Sequence, residues 1–472
     1  MVANAIDRDV SGGAPTPSLK ELVAETPDSR DRYVDLLRAL SIAVVVFGHW
    51  LMAAIYMRDG RIFGVNALEE MTWLWPLTWI LQVMPLFFFV GGFSHLVTWD
   101  SHRRLNEGYA AFVRGRTVRL MKPTALFIAI WLSLAAMLQL FPGVFGGALD
   151  EAGQLLALPL WFLGVYLLIV AVAPLMLRVH RSFGLRVVPA LTACAALVDV
   201  LRVGAGVPVV GYLNFAFVWL LAHQLGFFYA DGSLLRWSRK AFLAAGGLAL
   251  TGLVALTNLG PYSRFMVGAS DGRVSNNRPP SVCLILLTIW LVALAMLARG
   301  PLSCRLRRPR PWAAVIAVNS VIMTMFLWHL TALVLAVVVL YPLGYPQPDA
   351  GTAAWWAFRP VWLATLVGFL VGLVALFGRF ERPSLTKQVP RSRPSGAGRA
   401  ARAVTPARVE ATVAAGVGCL VLGVSGFAAS GFTDAFVDPA QPLTLLRAHP
   451  VANTLYLGVG ALLLRASARG PG

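Results

Sequence analysis

Residues 32–52 read RYVDLLRALSIAVVVFGHWLM. A helix needs about 20 mostly apolar residues to cross a bilayer, and this run is long enough. It nevertheless carries Arg38 and His49 in its interior. Eleven helical steps of ~100° make about three turns, so both side chains lie on one face, ~16 Å apart along the axis. Asp35 lies one turn before Arg38 and is placed to pair with it. A charge inside a span costs about 2.5–3.5 kcal/mol on insertion scales, so such residues normally face protein or a wet cavity. Snorkelling to the headgroups accounts equally well for Arg38 alone. The pair on one face, with His49 deep in the span, favours function.

The composition sets the class around that helix. The chain has 472 residues, 58% hydrophobic and 13% charged, with a mean hydropathy of +0.70. Soluble domains carry about 25% charged residues, so this is a polytopic all-α membrane protein. The net charge of +18 does not argue for nucleic acid, because the basic residues cluster in alternate loops. Cys194, Cys283, Cys304 and Cys419 have no CxxC spacing, which points to neither a disulfide framework nor a zinc site, and no metal is expected. The first thirty residues are polar, of mixed charge and rich in Gly and Pro. They lack a basic segment followed by a short apolar one, so they read as a disordered cytoplasmic tail and not as a signal peptide.

Apolar spans are expected near 33–56, 72–98, 122–141, 159–179, 186–202, 209–230, 240–258, 280–298, 313–340 and 355–378, with two more near 411–430 and 451–465. With the N-terminus inside, 31 of the 40 Lys and Arg fall on the cytoplasmic side and 8 outside, Arg38 being the other. This split supports both termini in the cytoplasm of a multi-pass protein. The domain reading is a tail at 1–30, a ten-span domain at 31–380, a basic cytoplasmic linker at 381–410 and two extra spans at 411–472. The linker is rich in Arg, Ser, Pro, Ala and Gly, which also suits a tether to anionic lipid.

Chemistry-bearing residues then fall into place along the chain. Neutral imidazole suits general-base work, and Arg suits bidentate contact with phosphate. A long substrate entering from the cytoplasm would meet Arg38 first and His49 deeper. In the second span, Gly91-Gly92 permits close helix approach, and His95 is expected at the inner interface. The following stretch, FVRGRTVRLMKP, reads as a loop; Arg116 and Arg119 share a face if it is helical, with Arg114 and Lys122 nearby. These charges suit ordinary positive-inside topology or a phosphate site. Trp161 and Phe162 lie at the outer end of the fourth span, where an aromatic belt is the default. Asp199 is an acid near the outer end of span five, and His223 sits toward the inner half of span six. NNRPPS (276–281) is a turn-rich entry to span eight. Span nine places Asn319, Ser320, Thr324 and His329 in the apolar layer. A lone His such as His329 is more often a helix–helix hydrogen bond than a catalyst.

Taken together and in this order, DLLRALSIAVVVFGH with its Arg-x10-His spacing, FFFVGGF, RTVRL, LPLWFL, NRPPS and FLWHL resemble the acyltransferase-3 family of bacterial membrane acyltransferases over roughly residues 30–380. Many members have Ser where this chain has Gly91, and many carry a Glu in the fourth-span motif where this chain has apolar residues and Tyr166. The resemblance implies a ten-helix acyltransferase core, extended here by two C-terminal helices. It also implies transfer from cytoplasmic acyl-CoA, most simply acetyl-CoA, to a hydroxyl of a glycan, lipid-linked sugar or other cell-envelope acceptor, as in O-acetylation of a polysaccharide. His49 would be catalytic with Arg38. Arg38, Arg114, Arg116 and Arg119 would hold the donor, and Asp35, Trp161 and His329 would support them. The protein would sit in a bacterial inner membrane. The competing reading is a transporter or flippase for a sugar- or lipid-type solute, with Arg38, Asp199 and His329 lining its path.

Overall fold

The computed structural model describes residues 18–58, 61–140, 152–268, 271–381, 406–432 and 449–469. Expectations for residues 1–17 and 382–405 lie outside the described residues. The chain folds as α1 (Leu19–Ala24), α2 (Arg32–Met52), β1 (Ala53–Arg58), β2 (Arg61–Asn66), α3 (Ala67–Glu70), α4 (Trp75–Leu81), α5 (Met84–Arg104), α6 (Tyr109–Leu138), α7 (Leu160–Phe183), α8 (Val187–Asp199), α9 (Asn214–Ala230), α10 (Arg239–Asn258), α11 (Val282–Arg305), α12 (Pro309–Ser320), α13 (Ile322–Leu340), α14 (Ala353–Phe377), α15 (Pro406–Ser430) and α16 (Pro450–Ala466). Among the described residues ten helical segments are long and apolar enough to cross a membrane. One of them, Ala152–Gly204, contains both α7 and α8, and Pro450–Ala466 is a shorter apolar helix. The chain is a polytopic helical membrane protein. Leu248, Val371 and Leu462 stay exposed on its flanks, as lipid-facing positions should.

Four elements depart from the sequence expectation. The first span ends at Met52 rather than 56, and the chain turns into an antiparallel hairpin in which Ala53 pairs with Asn66 and Arg58 with Arg61. Strand and helix compete for the same β-branched and aromatic residues here, so the apolar pattern does not mark the change. The expected ninth span is two helices, α12 and α13, broken at Val321 (φ −130°, ψ 22°). Glu381 accounts for the break. Its carboxylate accepts from Met323 N (2.9 Å), Thr324 N (2.8 Å) and Thr324 Oγ1 (2.7 Å), satisfying donors that the start of α13 leaves open. Residues 103–122 are not a loop either, since α6 begins at Tyr109 and the arginines lie on its first turns. Within the expected tail, Ser18 and Glu21 form a capping box that starts α1. The turn that follows is tied down where Trp312 Nε1 donates to Thr26 Oγ1 (2.9 Å).

The core lies where α2, α5, α7, α9 and α13 meet. Phe88 stacks on Trp219 at 4.8 Å, and both are fully buried. α5 and α9 touch through glycine: a Cβ on Gly92 would strike the His223 carbonyl, and one on Gly226 would strike that of Phe89. Such backbone proximity supplies packing that apolar contact alone does not give in lipid. The same device seats the C-terminal pair. Gly423 and Gly426 of α15 face Asn453 of α16, Gly164 of α7 faces Ser425, and Phe432 packs on Phe127 at 5.9 Å. The extra helices are thus docked into the bundle. Buried Asp199 ties its end of the bundle, accepting from Asn214 Nδ2 (2.9 Å), Tyr262 OH (3.0 Å) and Val282 N (2.8 Å).

Candidate active site

α2 starts where Asp31 caps it, accepting from Tyr33 N and Val34 N, and Tyr229 OH donates to the other carboxylate oxygen at 2.7 Å. That anchor fixes the rotation of the helix and hence where Arg38 and His49 point.

His49 Nδ1 lies 2.8 Å from His329 Nε2, and His329 Nδ1 lies 2.7 Å from the Phe326 carbonyl oxygen. The rings are 9° from parallel with centroids 5.1 Å apart. That separation is the N···N distance plus one ring radius at each side, so the rings meet edge to edge, as an in-plane hydrogen bond requires. The chain of bonds fixes the tautomers. A carbonyl only accepts, so His329 carries its proton on Nδ1 and its Nε2 is an acceptor. His49 therefore donates from Nδ1, and its Nε2 holds a lone pair. His49 is partly buried, and Nε2 makes no hydrogen bond among the described residues and is not sealed from its surroundings. Trp50 Nε1 donates to the His329 carbonyl at 2.9 Å, so consecutive residues of α2 grip both the ring and the backbone of α13.

Three turns back along α2, Arg38 donates to Asp35 Oδ1 (3.2 Å) and to Ser94 Oγ of α5 (2.9 Å). Asp35 also accepts from Arg30 Nε at 2.7 Å, and Asn319 Nδ2 donates to its carbonyl at 2.9 Å. Arg116 reaches the same turn of α5. It donates to the Ser94 carbonyl at 2.8 Å and to Thr98 Oγ1, while its Nε is buried with no partner. Two guanidinium groups thus converge on Ser94, held largely by neutral oxygens. The arrangement suits an anionic ligand that supplies the missing acceptors.

The other expected site residues scatter. Arg114 Nη1 donates to the Ser467 carbonyl at 3.2 Å, which links the start of α6 to the end of α16. Arg119 is exposed on the next turn of α6. Trp161 packs on Phe162, Phe215 and Trp219 and is joined to His329 through Phe162, whose ring meets Phe326 at 5.3 Å. Asp199 is saturated by its three donors, which makes it a clamp between helix ends.

A second histidine pair was not foreseen. His95, expected at the interface, is fully buried, with Nδ1 2.9 Å from His223 Nε2 and Nε2 3.4 Å from Tyr166 OH. Its signal was in the sequence: Gly91, Ser94, His95 and Thr98 recur at helical spacing as a small and polar face of α5. The partners on α7 and α9 were not, since cross-helix pairing leaves no mark in either helix alone.

Residues 31–378 match the family model Acyl_transf_3, described as an acyltransferase domain, and no curated protein and no solved structure matches the chain.

Proposed function

The chain belongs to the acyltransferase-3 family of membrane acyltransferases, and from that premise we propose that it moves an acyl group from acyl-CoA to a hydroxyl of a cell-envelope glycan or lipid-linked sugar. One observation carries this reading. The open Nε2 of His49 and Arg38, which Arg116 of α6 joins at Ser94, are separated along α2 by about the reach of a long thin thioester donor. In the proposed reaction His49 Nε2 takes the proton of the acceptor hydroxyl as its oxygen attacks the thioester carbonyl. The tetrahedral intermediate collapses with cleavage of the C–S bond. The imidazolium returns its proton to the departing CoA sulfur, leaving an ester and free CoA. His329, fixed by the Phe326 carbonyl, holds His49 in the useful tautomer and shares the positive charge while it lasts.

Arg38, Arg116 and Arg119 would bind the CoA phosphates, and Arg114 would hold the start of α6 in place. The family resemblance implies a bacterial inner-membrane protein, and the distribution of Lys and Arg supports this end lying in the cytoplasm. The test is acyl transfer from labelled acetyl-CoA by purified protein. His49→Ala is expected to retain CoA binding and lose transfer. Arg116→Glu is expected to weaken CoA binding at least about tenfold, less so in high salt. Normal transfer by His49→Ala overturns the assignment.

A further inference from the structure

Beyond His49 the chain builds a second polar feature that the donor does not use. The Ala53 backbone N–H donates to the His49 carbonyl as α2 ends, so β1 starts one turn, ~6 Å, past the imidazole, on the side away from Arg38. β1 forms one wall of a narrow cleft, and residues Tyr341, Pro346–Pro348, Trp355 and Trp362 form the others. The walls are cross-braced. Tyr341 OH donates to the Ile55 carbonyl (2.8 Å), Met57 N to Gln347 Oε1 (2.6 Å) and Ala350 N to Tyr56 OH (2.8 Å).

Arg359 lines this cleft. Its residue is 8% exposed, its guanidinium lies 3.7 Å from the Trp355 ring centroid, and its Nε is buried without a partner. Among the described residues it makes no ion pair, and the nearby Asp349 is taken by Arg58 at 2.6 Å. Stacking on an indole covers one face of a guanidinium and leaves its in-plane donors free. A buried cation kept unpaired in this way is costly, and an incoming anion removes the cost. The cleft is narrow and open at its mouth, so it admits the anionic end of a larger molecule and not the whole of it.

We infer that this cleft is the anion-binding part of the acceptor subsite: the acceptor is a sugar bearing a carboxylate or phosphate, and that anion binds Arg359. The inference rests on the acyl-transfer reading for its place in the reaction. It brings the acceptor to His49 from the end of the bundle opposite the donor arginines. The reacting hydroxyl then lies at least one helical turn from the anion, so the acceptor extends beyond its anchored group.

The experiment uses the full chain in a sugar-free detergent, with binding read by ligand-detected NMR. D-glucuronate, glucose 1-phosphate and neutral glucose are the probes. At least one anionic sugar is expected to bind in the millimolar range, with glucose at least about tenfold weaker. Glucuronate alone assigns a carboxylate sugar, and glucose 1-phosphate alone assigns a phosphosugar. Arg359→Gln is expected to lose the preference for the anion while its CoA affinity stays normal, which shows that the variant is folded. Arg359→Lys is expected to keep part of it. Equal binding of glucose, equal binding by Arg359→Gln, no binding of either anionic sugar, or displacement by phosphatidylglycerol each overturns the inference. The two readings fail separately. His49→Ala that still transfers, with sugar binding dependent on Arg359, sinks the reaction and leaves the site. His49→Ala that is inactive, with sugar binding indifferent to Arg359, does the reverse.

Discussion

Two histidine pairs cross the same bundle with nearly the same N···N distance, 2.8 Å for His49–His329 and 2.9 Å for His95–His223. They differ at their ends. The first ends in the Phe326 carbonyl on one side and an open Nε2 on the other. The second ends in Tyr166 OH at 3.4 Å and in His223 Nδ1, which is buried with no partner. A fixed tautomer with an accessible lone pair makes a base. A sealed pair makes a helix contact, and it carries the cost of one unmet polar atom, about 1–3 kcal/mol. On the proposed reaction, distance between imidazoles does not separate the base from a brace, and access does.

The widest separation between the pairs should appear on removing one ring from each. His49→Ala is expected to lower the transfer rate per folded molecule about 10³-fold, with a stability loss of about 1–3 kcal/mol from the His329 Nε2 it leaves unmet. His95→Phe, which keeps a ring in the core, should leave the rate per folded molecule within about threefold while lowering stability by about 1–3 kcal/mol. Rate and thermal unfolding measured on the same preparations settle this. A His95→Phe protein that is folded but inactive breaks the comparison.

A smaller effect tests whether the tautomer relay matters within the first pair. His329→Phe removes the acceptor for His49 Nδ1 and frees the imidazole to choose either tautomer. The expected loss is about 10²-fold in kcat with little change in KM for the donor, since supporting hydrogen bonds act on the base and not on the phosphates. Steady-state kinetics separate the two parameters. A pure KM effect would place His329 in binding instead.

The second pair can be disturbed without touching either ring. Gly92→Ala puts a methyl group against the His223 carbonyl, which is backbone and cannot swing away. The helices α5 and α9 must part, at a cost of about 1–3 kcal/mol in stability. Ser94 lies on the next half-turn, so donor affinity should fall modestly with it. Unchanged thermal stability would mean that the contact is slack.

These contrasts also show what the sequence could disclose. Arg38 and His49 were legible because both lie on one helix, where spacing alone fixes the face. The polytopic fold was legible for the same kind of reason, since each span must be apolar over about 20 residues. Asp35 beside Arg38 followed from its one-turn spacing. The pairing of His49 with His329 joins residues 280 positions apart, and hydropathy carries no information on it. His95 was assigned to the interface because window hydropathy reports depth, whereas its burial depends on α7 and α9. The hairpin after Met52 was hidden because Ala53–Arg58 is as apolar as the helix before it. The break at Val321 was hidden because its cause, Glu381, sits 57 residues beyond Thr324 and reads as one more charge near the linker.

Glu381 gives the smallest and most delicate of the contrasts, because it acts on the first pair only by positioning α13. Burial holds its carboxyl above the usual carboxylate range, against the hydrogen bonds from Met323 and Thr324 that favour the charged form. The folded state therefore binds this proton more tightly than the unfolded chain does. Its stability contribution is greatest below the unfolded value of 4.5 and is lost as pH rises through the folded value. Glu381→Gln keeps an acceptor for the start of α13 but has no proton to exchange. Stability of the wild type relative to this variant should then fall on going from acid to neutral pH, by no more than about 1 kcal/mol, the usual size of a helix cap. Transfer by the variant should change by less than about twofold, because His329 is more than one turn further on and is held by Trp50 and Phe326 as well. A relative stability that rises with pH instead would show that the capping hydrogen bonds outweigh burial, and that the carboxylate anchors α13 as a charge.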